Sequence, residues 1–255
     1  DGLTFTKALT VTVTDDIEDN PIDLTNGLVA WYPFNGNAND ESGNGNDGTV
    51  NGATLIEDRF GKSNEAYSFD GSGFIEINSS NIDFSEDLSV VAWVKTTSHG
   101  KYGIFGQWGP SNPKGFSVAS WHGGFHFDGT GGSGPAHSAV EIIDGKWNQV
   151  IAVRSNGSGL IYVNGKPSGT AVLNTSDWTL PKYEIGSWGD AKRFFVGQID
   201  DVRIYNRALS EAEVSALYDL EKPQPGVVSI SPGSGNFTSD GGSGEVQVSA
   251  SGGAE

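Results

Sequence analysis

Cysteine and methionine are both missing from the 255 residues. Without cysteine there is no disulfide framework, no thiol nucleophile and no thiolate-bound zinc. The compartment stays open, because secreted chains also do without it. With no methionine, not even an initiator, the chain is expected to be a segment of a longer protein. Basic residues are scarce: 15 Lys and Arg against 32 Asp and Glu give a formal charge of -17. That balance argues against sequence-independent contact with nucleic-acid phosphates or anionic membranes, which needs clustered cations. An acidic surface attracts divalent cations instead. No apolar run is long enough to span or insert into a membrane, and no signal peptide is expected in this stretch.

What the chain has is glycine, 37 residues of it, and turn signals about every ten residues. They separate "GLVAWYPF", "EAYSFDGSGFIEI", "LSVVAWVKT", "YGIFGQW", "GFSVASW", "GFHFD", "WNQVIAVRS", "GLIYVNGK", "KYEIGSW" and "FVGQIDDVRIY". Many short alternating strands with almost no helix predict an all-β protein, a two-sheet antiparallel sandwich or a closed barrel. "NGSG" and "NGK" mark two successive hairpin reversals. The one helix signal comes at the end, with Ser210 at an N-cap, Glu213 three residues on, and Val214, Leu217 and Tyr218 at helical spacing.

Pro21 closes an acidic run after a single alternating strand, Ala8 to Thr14, and "EKPQPG" at 221–226 precedes a Gly/Ser-rich tail with two short strands. One complete domain is therefore expected over residues 22–222, between fragments at 1–21 and 223–255. Trp31, Trp93 and Trp147 lie in strong strand patterns and are expected in the core.

Two adjacent aspartates interrupt the alternating strand "GQIDDVRIYNRALSEAEV" at 197–214. Strict alternation puts Asp201, Arg203 and Tyr205 on one face and Asp200 with Val202 and Ile204 on the other, toward the core. A buried carboxylate needs a cation, hydrogen-bond donors or an arginine. Calcium is one answer, since it takes six to eight oxygens and the loop "FNGNANDESGNGND" is rich in them. An arginine such as Arg59 or Arg203 is the other, with Asp40 capping an Asx turn.

For binding, the stretch from Tyr102 to Asp128 places Trp108, Trp121, His122 and His126 at strand ends or turns. "SWGDAKRFF" adds Trp188, Arg193 and Phe194 on another loop. Sugar C–H faces stack on exposed aromatic rings while amides and carboxylates take the hydroxyls. His99, His122, His126 and His137 show no zinc spacing, and no nucleophile elbow supports a serine triad.

Taken in order, "GLVAWYPFNGNANDESGNGNDGTVNGA", "AYSFDGSGFIEI", "LSVVAWVK", "GKWNQVIAVRSNGSGLIYVNGK" and "FVGQIDDVRIYNRALSEAEV" resemble the laminin-G-like, concanavalin-A-like jelly-roll family of bacterial surface proteins, over nearly all of residues 27–220. The resemblance implies a jelly roll of two sheets of six or seven strands, with the first and last side by side and a short C-terminal helix. It also implies a structural calcium, with Asp200 as leading ligand, Asp40 and Asp70 as candidates and Asp201 as fallback. The flanks resemble the end of a cadherin-like repeat and the start of a bacterial immunoglobulin-like repeat. Retaining glycosidases of this fold carry an E-x-D-x-x-E strand, with carboxylates about 5 Å apart. Here the nearest patterns, Glu141 to Asp144 and Glu86 to Ser89, sit at turns. The expected function is thus a non-catalytic carbohydrate-binding or adhesive module of a multidomain extracellular or cell-surface protein. Its partner would be a glycan or polysaccharide, and as a fragment it would be monomeric. A spacer or protein-binding module is the alternative, and a diverged hydrolase or lyase the third reading. Exposed aromatics on one rim would favour the glycan binder. Carboxylates facing each other across a cleft would favour the enzyme.

Overall fold

Asn-Gly pairs set the hairpins before any packing is considered. Asn156 and Gly157 adopt φ of 48° and 77°, Asn164 and Gly165 φ of 51° and 73°. Two consecutive left-handed residues are what the tight two-residue reversal needs. The computed structural model describes residues 22–78, 82–100, 102–109, 112–129, 135–173, 177–188, 193–223, 228–232 and 246–250. Its strands are β1 (Leu28–Tyr32), β2 (Gly48–Asn51), β3 (Thr54–Ile56), β4 (Ala66–Asp70), β5 (Phe74–Asn78), β6 (Leu88–Lys95), β7 (Tyr102–Gly109), β8 (Asn112–Trp121) and β9 (Gly124–Gly129). They continue with β10 (Ala136–Glu141), β11 (Asn148–Ser155), β12 (Ser158–Val163), β13 (Lys166–Val172), β14 (Lys182–Ile185) and β15 (Val196–Tyr205). Helix α1 (Glu211–Glu221) follows, then β16 (Val228–Pro232) and β17 (Val246–Ala250).

The strands form two antiparallel sheets, the expected jelly-roll sandwich. One sheet runs β13, β12, β11, β6, β15, β4, β3, with β1 also on β15, and the other β10, β9, β8, β7, β14, β5, β2. β1 and β15 are antiparallel neighbours, as the resemblance implies for first and last strands. The first sheet has eight strands because the ten-residue β15 shares one side between two short strands, β4 along Val196 to Ile199 and β1 along Val202 to Tyr205. β16 and β17 pair with each other as a separate two-stranded sheet. The strand expected at residues 8–14 lies outside the described residues.

Between the sheets lies a core rich in aromatic rings, among them Phe34, Phe69, Phe84, Phe105, Phe116, Phe127, Trp178 and Tyr183. Burying each such side chain contributes on the order of 2 kcal/mol or more. A second apolar layer covers the opposite face of the eight-stranded sheet, where Val214 and Leu217 of α1 pack with Val91, Ile151, Val153, Tyr162 and Tyr205. α1 begins as the sequence predicts: the Ser210 hydroxyl accepts from the Glu213 N–H while the Glu213 carboxylate accepts from the Ser210 N–H. Trp93 is buried as expected, whereas Trp31 and Trp147 are half-buried. Trp31 sits between the inward-facing Ala30 and Tyr32 and so faces away from the core.

Candidate functional site

Two polar centres lie on opposite outer faces of the sandwich. The first answers the question posed by Asp200 and Asp201. In β15, Asp200 pairs with Trp93 and Arg203 with Val91, so two residues of β15 oppose the single Ala92. This is a β-bulge, with Asp201 at φ 46°, a left-handed conformation that aspartate tolerates better than most residues. The bulge reverses the alternation: Ile199, Val202 and Ile204 all reach the core. Asp200 therefore does not face inward with Val202 and Ile204, as strict alternation required. Both aspartates point toward α1 and the loop carrying Arg59.

There the Arg59 guanidinium donates to Asp200 from Nη1 (2.5 Å) and to Asp201 from Nη2 (2.7 Å), and its Nε donates to the Glu221 carbonyl (3.0 Å). Trp31 Nε1 donates to Asp201 (2.7 Å). The Glu221 carboxylate accepts from Trp93 Nε1, Gln149 Nε2 and Arg203 Nε at 2.9, 3.0 and 2.7 Å. Burial pushes the Asp200 carboxyl up to about 7 against the pull of Arg59, and burial likewise raises Glu221. Burial also works against the charge of Arg59, but Asp200 and Asp201 outweigh it and raise the guanidinium further.

The aspartates named for calcium, Asp200 as leading ligand, Asp40 and Asp70 as candidates and Asp201 as fallback, lie in three different places. Asp40 accepts the backbone N–H groups of Trp31, Ser42 and Asn46 at 2.9, 2.9 and 3.0 Å. Burial raises it, and the bonds from Ser42, Trp31 and Asn46 more than offset that, holding it below the usual carboxylate range. Asp70 closes an exposed turn through the Ser72 N–H and hydroxyl at 2.9 and 2.7 Å. Asp200 is held by Arg59, and Asp201 by Arg59, Trp31 and, at 3.6 Å, Arg203. Among the described residues no three His, Asp or Glu side chains are grouped to hold a metal ion. A calcium cage of six to eight oxygens does not fit carboxylates whose oxygens are faced by N–H donors.

The second centre lies on the outer face of the seven-stranded sheet. Phe116 and Val118 of β8 and Phe125 and Phe127 of β9 point into the core. Alternation turns Ser117, Ala119 and Trp121, with His126 and Asp128, outward. His126 pairs across the ladder with His137 of β10. The Trp121 ring centroid lies 4.8 Å from His122, 5.1 Å from His126 and 5.4 Å from His137. His126 is also 6.3 Å from Trp188, over which Arg193 sits at 5.3 Å.

Beside this cluster a lateral row crosses six strands. Asp128 opposes Ser117, Ser117 opposes Gly106, Gly106 opposes Glu184, Glu184 opposes Glu76, and Glu76 opposes Thr49. At about 4.8 Å per strand the row is ~24 Å long. Its middle is low: Gly106 has φ 148°, and a Cβ there would stand 2.4 Å from the Phe116 carbonyl oxygen. The Ser117 hydroxyl is buried with no hydrogen-bond partner among the described residues. Lys182 Nζ reaches Glu76 at 2.7 Å and Glu184 at 3.8 Å. Phe194 stacks on Phe74 with centroids 6.0 Å apart.

The residues singled out in the sequence are therefore mostly brought together, in different roles. Trp121, His122, His126, Trp188 and Arg193 form one cluster. His126 (0% exposed) and Trp188 (5%) are its buried base, not its rim. His122 and Arg193 are exposed, and Trp121 and Phe194 half-buried. Trp108 lies in β7, and its side chain is outside the described residues. Glu184, Glu76 and Ser117 escaped notice, and His137 was weighed only for zinc spacing, because strand register assembles them and nothing in their local sequence marks it.

A laminin G family model, described as the concanavalin A-like lectin/glucanases superfamily, matches residues 69–215. No curated protein matches the chain in sequence. Among solved structures, domain 4 of AbnA, a GH43 extracellular arabinanase from Geobacillus stearothermophilus, in complex with arabinotriose, is similar at 24% identity and a TM-score of 0.59. The match covers 75% of this chain and 98% of that one. The binding domain of Paraclostridial Mosquitocidal Protein 1 is similar at 15% identity and a TM-score of 0.63, covering 77% of this chain and 52% of that one. The binding domain of Botulinum Neurotoxin DC in complex with SialylT is similar at 15% identity and a TM-score of 0.61, over 81% and 54%. At these identities the likeness is one of fold. The chain spans nearly all of the arabinanase domain and about half of each toxin binding domain.

Proposed function

The chain belongs to the concanavalin A-like lectin/glucanase superfamily, and we propose that it is a non-catalytic module that binds a linear glycan across the outer face of its seven-stranded sheet. The observation that carries this reading is the row Asp128, Ser117, Gly106, Glu184, Glu76, Thr49, with the Trp121 ring, stacked on His122, on the same face of the sheet two outward positions along β8 from Ser117. Small residues keep the floor low, carboxylates and a buried free hydroxyl supply partners for sugar hydroxyls, and the indole offers an apolar face. The arabinotriose held by the arabinanase domain and the SialylT held by the toxin domain make the ligand class reasonable for this fold. The module would serve an extracellular or cell-surface protein of several domains, in adhesion or substrate capture. No helix among the described residues is long and apolar enough to cross a membrane.

Two observations favour other readings. Burial of His126 and Trp188 suits a spacer or protein-binding module, whose rings would serve packing alone. Glu76 and Glu184, directly opposed on neighbouring strands, suit a glycosidase pair. We read them as hydroxyl acceptors, because Lys182 bridges them and pairs closely with Glu76. One screen separates the three: a printed array of linear and branched oligosaccharides, followed by a reducing-end assay on every glycan retained. Retention without new reducing ends is expected. No retention supports the spacer, and new reducing ends abolished by Glu184→Gln support the hydrolase.

A further inference from the structure

The family resemblance implies a calcium fastening the last strand to the N-terminal part of the chain. We propose that in this protein the guanidinium of Arg59 is the cation of that junction, so that the first-to-last strand closure forms without calcium. Three buried carboxylates meet there, Asp200, Asp201 and Glu221, from β15 and the end of α1. The side chain of Arg59 is 5% exposed, and its three kinds of nitrogen reach three acceptors: Nη1 Asp200, Nη2 Asp201 and Nε the Glu221 carbonyl. The planar head lies 4.5 Å from the Phe60 ring centroid and 4.9 Å from that of Trp93. A flat, weakly hydrated cation set against two aromatic rings with its N–H groups on carboxylates is a site built for guanidinium, not for a spherical hard ion.

Donors from outside Arg59 take up the neighbouring oxygens. Trp31 Nε1 points at Asp201, and Trp93 Nε1, Gln149 Nε2 and Arg203 Nε point at Glu221. Hydrogens aimed at those oxygens repel a metal ion. The Arg59 loop is itself fixed by Asp58, whose carboxylate accepts the N–H groups of Phe60 and Lys62 at 2.8 Å each. One side chain between β3 and β4 thereby ties together β15, β1 through Trp31, and the last turn of α1.

The test compares melting of the full chain in calcium chloride and in EDTA, for the wild type, Asp200→Asn, Arg59→Met, Arg59→Lys and the double variant Arg59→Met/Asp200→Asn. The wild type is expected to melt at one temperature in both buffers. Arg59→Met should melt well below it, unrescued by calcium. The double variant should melt above Arg59→Met, since removing one acid relieves the uncompensated charge. Should Arg59→Met fail to fold, Arg59→Lys, which keeps the charge and loses the fork, should melt lower than the wild type and stay indifferent to EDTA. Two results overturn the proposal. One is Arg59→Met melting like the wild type. The other is a fall of the wild type in EDTA, on the order of 5–10 °C at a hundredfold excess of calcium over its Kd, that Asp200→Asn abolishes. A fall that survives Asp200→Asn would place calcium away from the junction and leave Arg59 as its cation.

Discussion

Asp200 carries a charge that changes near neutral pH. Burial raises it from 3.8 to about 7. Its contribution to stability is therefore complete below its unfolded value and is lost as pH rises through about 7. Melting temperature is expected to fall between about pH 4 and about pH 7 and to level off above that, and Asp200→Asn should flatten that slope. Glu213 behaves oppositely. Hydrogen bonds from Arg207 lead the causes that lower it from 4.5 to about 2, so its contribution is present above the unfolded value and lost as pH falls toward 2. Glu213→Gln should remove that acid-side loss, measured in the same pH series. That a carboxylate here needed a partner was legible in the sequence, with Arg59 among the two arginines considered. Which face it occupied was not, because alternation assumes an unbroken ladder and the left-handed φ of Asp201 breaks it. Trp188 misled in a similar way: loop composition suggested exposure, and packing against His126 and under Arg193 buries it.

At the scale of the element, local signals did well where local chemistry decides. The Ser-x-x-Glu capping box of α1 and the Asn-Gly hairpins need only their own backbone. Ser210→Ala should cost about 1 kcal/mol, read as a drop in denaturant midpoint at constant m. β7 supplies the contrary case. Gly106 looks like any turn glycine in the sequence, yet it sits in mid-strand, where a Cβ would press on the Phe116 carbonyl. Gly106→Ala is expected to lower the melting temperature and weaken glycan retention together, because the shift it forces falls on the floor of the row. The pairing of Glu184 with both Gly106 and Glu76 depends on how β14 inserts between β5 and β7. That insertion joins segments about a hundred residues apart, and periodicity within either one carries no trace of it.

The whole molecule has two outer faces with different work. One is sealed by α1 over apolar side chains and the arginine junction, and the other presents the polar row proposed to bind a glycan. The composition anticipated the sandwich, because many short strands with abundant turns leave few alternatives. It also anticipated an acidic chain, in which Asp70 closes a turn and Asp200 and Glu76 form ion pairs with arginine and lysine. The most direct test of a binding face across the seven-stranded sheet is calorimetric titration of the wild type and Trp121→Ala with a length series of whichever linear oligosaccharide an array retains. Affinity should rise with chain length until the ~24 Å row is filled. It should fall tenfold or more, about 1.4 kcal/mol, in Trp121→Ala at a temperature where that variant is still fully folded. Equal affinity in the two proteins, or no dependence on chain length, would contradict the account.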